Sequence, residues 1–174
     1  MAGPLLRPMN EPDIAQEQHG IFLTPEGYLS LQAELEQLTM HKRPEIADRI
    51  RESLQHGEFS EDNSELDEVK FEQAMVENRI AELKAIFGGA QVLDMRQLPT
   101  DIVGIGNLVK VKDVEFKDSF EVRIVMSIEA NPAEDLISNE SPMGTALIGH
   151  KKGDTIEFDA PEGKKRYQVV EIKK

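Results

Sequence analysis

The sequence contains no cysteine and no tryptophan, and its nine aromatic side chains (Phe 7, Tyr 2) are few for 174 residues. Without cysteine there are no disulfides, no thiolate metal sites and no cysteine nucleophile. The scarce aromatics, with 39% hydrophobic residues, are thin material for one compact globule. They suit a narrow two-helix seam joined to a modest second core. No apolar run reaches the ~18 residues that a membrane span needs. Residues 1–20 hold Pro4, Pro8 and Pro12 but lack the apolar stretch of ~7–15 residues that marks a signal peptide. They read as a flexible N-terminal tail on a cytoplasmic protein. Cations are outnumbered as well: 20 Lys and Arg against 33 Asp and Glu give a net charge of −13. That charge opposes unaided binding to nucleic acid and points to a basic or metal-bearing partner. There is no nucleotide-binding glycine pattern and no HExxH, and the four histidines (His19, His41, His56, His150) are scattered.

What the chain does have is helical periodicity. Thr24-Pro25-Glu26 is a helix start: a capping hydroxyl, a proline where no donor is missed, and an acid at the positive end of the dipole. Leu31, Leu35 and Leu38 follow at helical spacing, and Ile46, Ile50 and Leu54 resume it. Pro44 should kink or locally break this helix, and Gly57 should stop it. In the second helix Leu66, Val69, Gln73, Val76, Ile80, Leu83 and Phe87 form a heptad seam ending at Gly88-Gly89. A bundle would need two more helices that the rest of the chain does not offer, so residues 21–90 are expected to form an isolated antiparallel coiled-coil hairpin. A turn near residues 60 and 61 sets Leu38 opposite Leu83, Leu35 opposite Ile86 or Phe87, and Leu54 opposite Leu66. Pro25 to His56 would then make an arm ~48 Å long at ~1.5 Å per residue.

Residues 91–100 read as a linker, and 101–174 as an α+β domain. Residues 109–114 and 120–124 alternate with period two, Phe120, Val122 and Ile124 sharing a face. Further strands are expected at 155–158 and 167–172, joined through a turn at Pro161-Glu162-Gly163. Ser141-Pro142 opens a short helix through Leu147-Ile148, which Gly149 closes.

Chemistry concentrates at the hairpin tip, residues 57–66. From Glu58 to Glu68 there are six carboxylates and no cation. Such crowding raises proton affinity unless a cation sits among the acids. A solvated acidic loop is one reading. The other is a set of oxygen ligands on a rod that presents a hard metal such as Mg²⁺ to another molecule's active site. No EF-hand pattern fits these residues.

Several segments together resemble the Gre family of transcript-cleavage factors. Phe22-Leu23-Thr24-Pro25-Glu26-Gly27, Lys42-Arg43-Pro44-Glu45-Ile46-Ala47 and His56-Gly57-Glu58-Phe59-Ser60-Glu61 look like that family's first helix and tip. Ala90-Gln91-Val92-Leu93-Asp94 looks like its exit from the second helix. The run from Ser141 to Asp154 is similar to the signature of its FKBP-like C-terminal domain. The resemblance spans roughly residues 20–174. It implies a factor, not itself an enzyme, that docks on bacterial RNA polymerase at the rim of the secondary channel, on the β′ subunit, and inserts its hairpin. The tip would meet the 3′ end of backtracked RNA, and the polymerase would hydrolyse its own transcript. By position, Glu58 and Glu61 take the roles of the family's tip acids, catalytic in trans and sharing Mg²⁺ with the polymerase, with Asp62 as a further candidate ligand. Ser141, Pro142, Gly144, Leu147, Ile148 and Gly149 are the implied partner-binding residues, although packing explains each of them as well. The isolated protein is expected to be a monomer without a bound cofactor. Three positions depart from the family pattern: Glu58 stands for Asp, Asp62 looks inserted, and Leu66 stands where a Tyr is usual. The departures leave open a relative that occupies the channel and inhibits without stimulating cleavage. From another class, a free-standing coiled-coil adaptor or a prolyl isomerase also remains open.

Overall fold

The computed structural model describes residues 20–56 and 64–174. Helix α1 (Pro25–Gln37) begins as its sequence dictates: the Gly27 N–H donates to the Thr24 hydroxyl at 3.0 Å, and Pro25 occupies the first turn. Pro44 does not break the arm. A single π-turn (Leu38–Lys42) precedes it, and α2 (Arg43–His56) continues directly. The wider turn lets the Arg43 N–H reach back to the Leu38 carbonyl, while Thr39 donates its hydroxyl to the Leu35 carbonyl at 2.7 Å. A proline and a π-turn are both places where a helix departs locally from regular α geometry. The π-turn also corrects the phase of the apolar stripe. Leu38 and Ile46 are eight residues apart, ~80° out of line in a pure α-helix but only ~20° once one residue is taken up by the π-turn. Ile46 is accordingly buried.

Helix α3 (Ser64–Gly89) returns along this stripe. Val69, Val76, Ile80 and Leu83 are buried, with Leu66 and Phe87 half-buried. Leu35, Leu38, Leu83, Ile86 and Phe87 share one cluster, as the antiparallel pairing requires. Two seam positions differ from the expectation. Gln73 faces solvent, and its neighbour Glu72 reaches across to Lys42 (2.7 Å) and Arg49 (2.5 Å). Leu54 is 53% exposed and Ser53 is buried instead. About the α2 axis Ser53 lies within ~20° of Ile46, whereas Leu54 is ~80° away. Ion pairs Arg43–Glu77 (2.6 Å) and Arg79–Glu34 (2.7 Å) flank the seam. Exposed pairs of this kind contribute little stability individually.

The base of the hairpin is closed by a feature too short to show a period. Strand β1 (Ile21–Leu23) pairs in parallel with β2 (Ala90–Val92), Ile21 opposite Ala90. Tyr28 meets Phe87 edge to face at 5.1 Å beside it.

The C-terminal sheet contains β3 (Leu108–Asp113), β4 (Ser119–Val125), β5 (Leu136–Ser138), β6 (Thr155–Ala160) and β7 (Gly163–Lys173), in the order β5-β4-β3-β7-β6. Its pairs are antiparallel except β4 with β5. Alternation puts Val109 and Val111 of β3, Val122 and Ile124 of β4, and Ile156 and Val169 on one face. The helix α4 (Pro142–Leu147) covers them with Leu147, Met143 and Ala146. Phe120, expected on that face, lies at its margin and is 37% exposed. Buried Asn107 ties the connector to the sheet: its side-chain amide donates to the carbonyls of Pro99 and Lys173, and its oxygen accepts from the Gly104 N–H, all at 2.9 Å.

Hairpin and sheet meet through the 3₁₀ turn Ser127–Glu129. Ile128 joins Leu23, Leu31 and Leu83 in the basal cluster. Glu129 accepts hydrogen bonds from the Thr24 N–H (3.0 Å) and hydroxyl (2.5 Å).

Candidate functional site

The tip lies between the last turn of α2 and the first turn of α3. Glu58, Glu61 and Asp62 fall within residues 57–63, outside the described residues. The described flank continues the acidic character: Glu65, Asp67 and Glu68 are exposed at the start of α3. Carboxylates there suit the positive end of the helix dipole. From this turn to the closed base α3 runs 26 residues, ~39 Å at ~1.5 Å per residue. Among the described residues no three His, Asp or Glu side chains are grouped to hold a metal ion. The Mg²⁺ expectation concerns Glu58 and Glu61, with Asp62 as a further candidate, all outside the described residues.

The Ser141–Gly149 stretch separates into two kinds of residue. Ser141 caps α4, accepting from the Gly144 N–H at 3.0 Å and donating to the Ser138 carbonyl at 2.7 Å. Gly144 is buried against that carbonyl, and a β-carbon on it would sit 2.0 Å away. Leu147 is fully buried in the sheet core, Ile148 packs against its edge, and Gly149 turns the chain at φ 84°. These are folding duties. Ser141 and Pro142 also border an apolar hollow of about 260 Å³, with Ile137, Met143, Phe158 and Pro161 as walls. The sequence reading missed these walls. Met143 lies inside the signature, but Ile137, Phe158 and Pro161 come from other elements and meet it only in the fold.

Tyr167 stacks edge to face with Phe120 at 5.3 Å and Phe158 at 5.4 Å, while Phe116 lies exposed beneath the Lys165 ammonium. Burial raises the Tyr167 phenol above its ordinary pKa.

A second recess of about 840 Å³ opens between hairpin base and sheet, bordered by Glu26, Glu34, Arg79, Arg123, Glu129 and Lys174. Glu129 forms part of its wall, and burial pushes its carboxyl above the ordinary range despite the Thr24 hydrogen bonds. Arg79 is raised further by its bonds to Glu34 and Glu82, so it stays charged. No helix among the described residues is long and apolar enough to cross a membrane.

Comparison with known proteins finds relatives over most of the chain. Residues 21–92 match the family model described as transcription elongation factor, N-terminal, and residues 98–174 match transcription elongation factor, GreA/GreB, C-term. The chain is 47% identical over 154 residues to the transcription elongation factor GreA of Acetivibrio thermocellus, covering 88% of this chain and 96% of the relative. It is 47% identical over 150 residues to the protein of the same name from Clostridium botulinum, covering 86% and 93%. Among solved structures, GreA factor homolog 1 of Thermus thermophilus is 32% identical, covers 89% of this chain and 99% of its own, and superposes with a TM-score of 0.41.

Proposed function

This chain belongs to the GreA/GreB family of transcription elongation factors, and from that premise we propose that it rescues backtracked RNA polymerase by stimulating the enzyme's own transcript cleavage. In this reading the sheet domain docks on the polymerase and the hairpin enters the secondary channel. Its tip then stands at the 3′ end of the displaced RNA. The arm is the observation that supports it: a helical pair sealed at its base, with acids in the first turn of α3 at the end remote from that base.

Glu58 and Glu61 carry the chemistry in this proposal, with Asp62 as a candidate third ligand. Carboxylate oxygens are the donors Mg²⁺ accepts while keeping several waters. Glu58 and Glu61 would hold the ion jointly with the polymerase, where it acidifies a water and steadies charge on the phosphoryl oxygens. The tip's own part is to bring negative oxygen to that point, orient a water by hydrogen bonding, and withdraw. The apolar hollow beside Ser141 and Pro142 is the proposed docking surface. Met143 and Phe158 offer it greasy contact, and Ser141 offers a polar rim. The buried members of the stretch, Gly144 and Leu147, support the surface from beneath.

The test is direct. With Mg²⁺ and a stalled, backtracked polymerase, the purified protein should release short 3′ RNA fragments, and alone it should cut nothing. Slower nucleotide addition with no fragment released would replace this reading with an inhibitory one.

A further inference from the structure

Among the described residues, the sheet side of the contact with the hairpin includes the turn carrying Ile128 and Glu129, with the large recess alongside. Further ties run through the connector: the Lys174 ammonium donates to the Arg96 carbonyl at 2.6 Å, and Leu93 and Leu98 close over Gly106. The connector holds the two parts together. The Glu129 contact adds a separate attachment at the start of α1.

That contact is built around one carboxylate. Glu129 takes two hydrogen bonds from Thr24, one from its backbone N–H and one from the hydroxyl that itself caps α1. The approach depends on Gly27. A β-carbon there would lie 1.6 Å from Glu129 Oε1 and 2.2 Å from its Cδ. Glycine inside a first helical turn costs ~0.5–1 kcal/mol against alanine, so helix formation does not account for it. Room for the carboxylate does. Burying a carboxylate near Glu26 is also unfavourable, and its raised pKa registers that cost.

The geometry points to Glu129 as a positioning residue: seated on Thr24 through the space left by Gly27, it sets the angle of the arm and so the place of the tip. The inference rests on the proposed function for its consequence, but the latch itself is a property of the isolated chain. The arm amplifies small rotations. With an arm of ~48 Å, a turn of ~10° at the base moves the tip by ~8 Å. A misplacement of ~1 Å at a reacting centre is enough to cost ~100-fold.

The absence of native cysteine makes the test clean. Nitroxide labels on cysteines replacing exposed Gln55 and Lys151 report the distance from arm to sheet by electron–electron resonance. The otherwise unaltered chain should give one narrow distribution. Gly27→Ala and Glu129→Ala should each broaden it, while Thr24→Ser, which keeps the hydroxyl, should not. In the cleavage assay the same two variants should lose at least ~10-fold of the rate at saturating factor, at an unchanged half-saturating concentration. Distributions that stay narrow in both variants would overturn the latch, whatever the protein does to polymerase. Broadened distributions with an undiminished saturating rate would overturn its positioning role. A native chain that releases no RNA defeats the functional premise, and the distance measurement still decides the latch.

Discussion

The two halves of this molecule are held together differently. The sheet domain encloses a core in which Val109, Val111, Ile124, Leu147 and Val169 are fully buried, with α4 as its lid. The hairpin has a single file of apolar contacts, from Leu23 and Leu83 at the base to Val69 toward the tip, with ion pairs on its flanks. A closed core tolerates little change and moves as one body. A single seam is stiff along its axis but depends on its base for direction, and loosens progressively from the far end. The sheet is therefore suited to gripping, and the arm to reaching.

The contrast breaks first in the sheet. Leu147→Ala leaves a cavity under α4 and should destabilise the sheet domain by ~2–5 kcal/mol. Thermal unfolding measures that loss, and polymerase binding should weaken with it because α4 supports the hollow. Val69→Ala should cost less, ~1–3 kcal/mol, and the loss should stay local. Amide exchange should accelerate in α2 and the first half of α3 and remain native in β3, β4 and β7. Equal acceleration in both halves would mean that they unfold as one unit.

Acid should separate the halves more gently. Glu72 is held below the ordinary carboxylate value of 4.5, chiefly by Lys42 and then Arg49, and Glu77 by Arg43. Because the unfolded chain takes up these protons more readily, the stabilisation is present above about pH 4.5 and is lost as pH falls through the lower folded-state values. Glu129 acts with the opposite sign: its raised value means that protonation relieves a cost of folding. Depressed acids occur on the sheet too, Glu121 beside Lys173 and Glu157 beside Lys164, but they border a closed core. Helical circular dichroism should therefore fade before the sheet's amide protection on titration from about pH 5 to 3, and added salt should shrink the difference.

Much of this division was legible in the sequence because period carries it. The heptad from Leu66 to Phe87 specified a helix and its partner, and the alternation in β3 and β4 specified a two-faced sheet. Ser141-Pro142 announced α4 through cap chemistry. The remainder depends on contacts that local pattern does not encode. Pro44 signalled a kink or a local break, and the structure answers with a π-turn directly before it that brings Ile46 into line. Strands β1 and β2 have three residues each and pair across the whole hairpin. Leu54 has the apolar side chain, but position about the helix axis decides burial and seats Ser53 instead. Gly27 and Glu129 are 102 residues apart, and only the fold shows that one makes room for the other. The tip acids were identified through the family resemblance, and they fall outside the described residues.

The central claim is that carboxylates at the end of the arm act on a partner's metal centre. The most direct measurement compares the native chain with the Glu58→Ala, Glu61→Ala double variant on one backtracked polymerase complex, recording binding and 3′ fragment release together. Loss of a ligand pair should reduce release by at least ~100-fold, the upper end of what outer-shell changes cost, with binding unchanged because the sheet domain is untouched. Fragment release at the native rate would contradict the account.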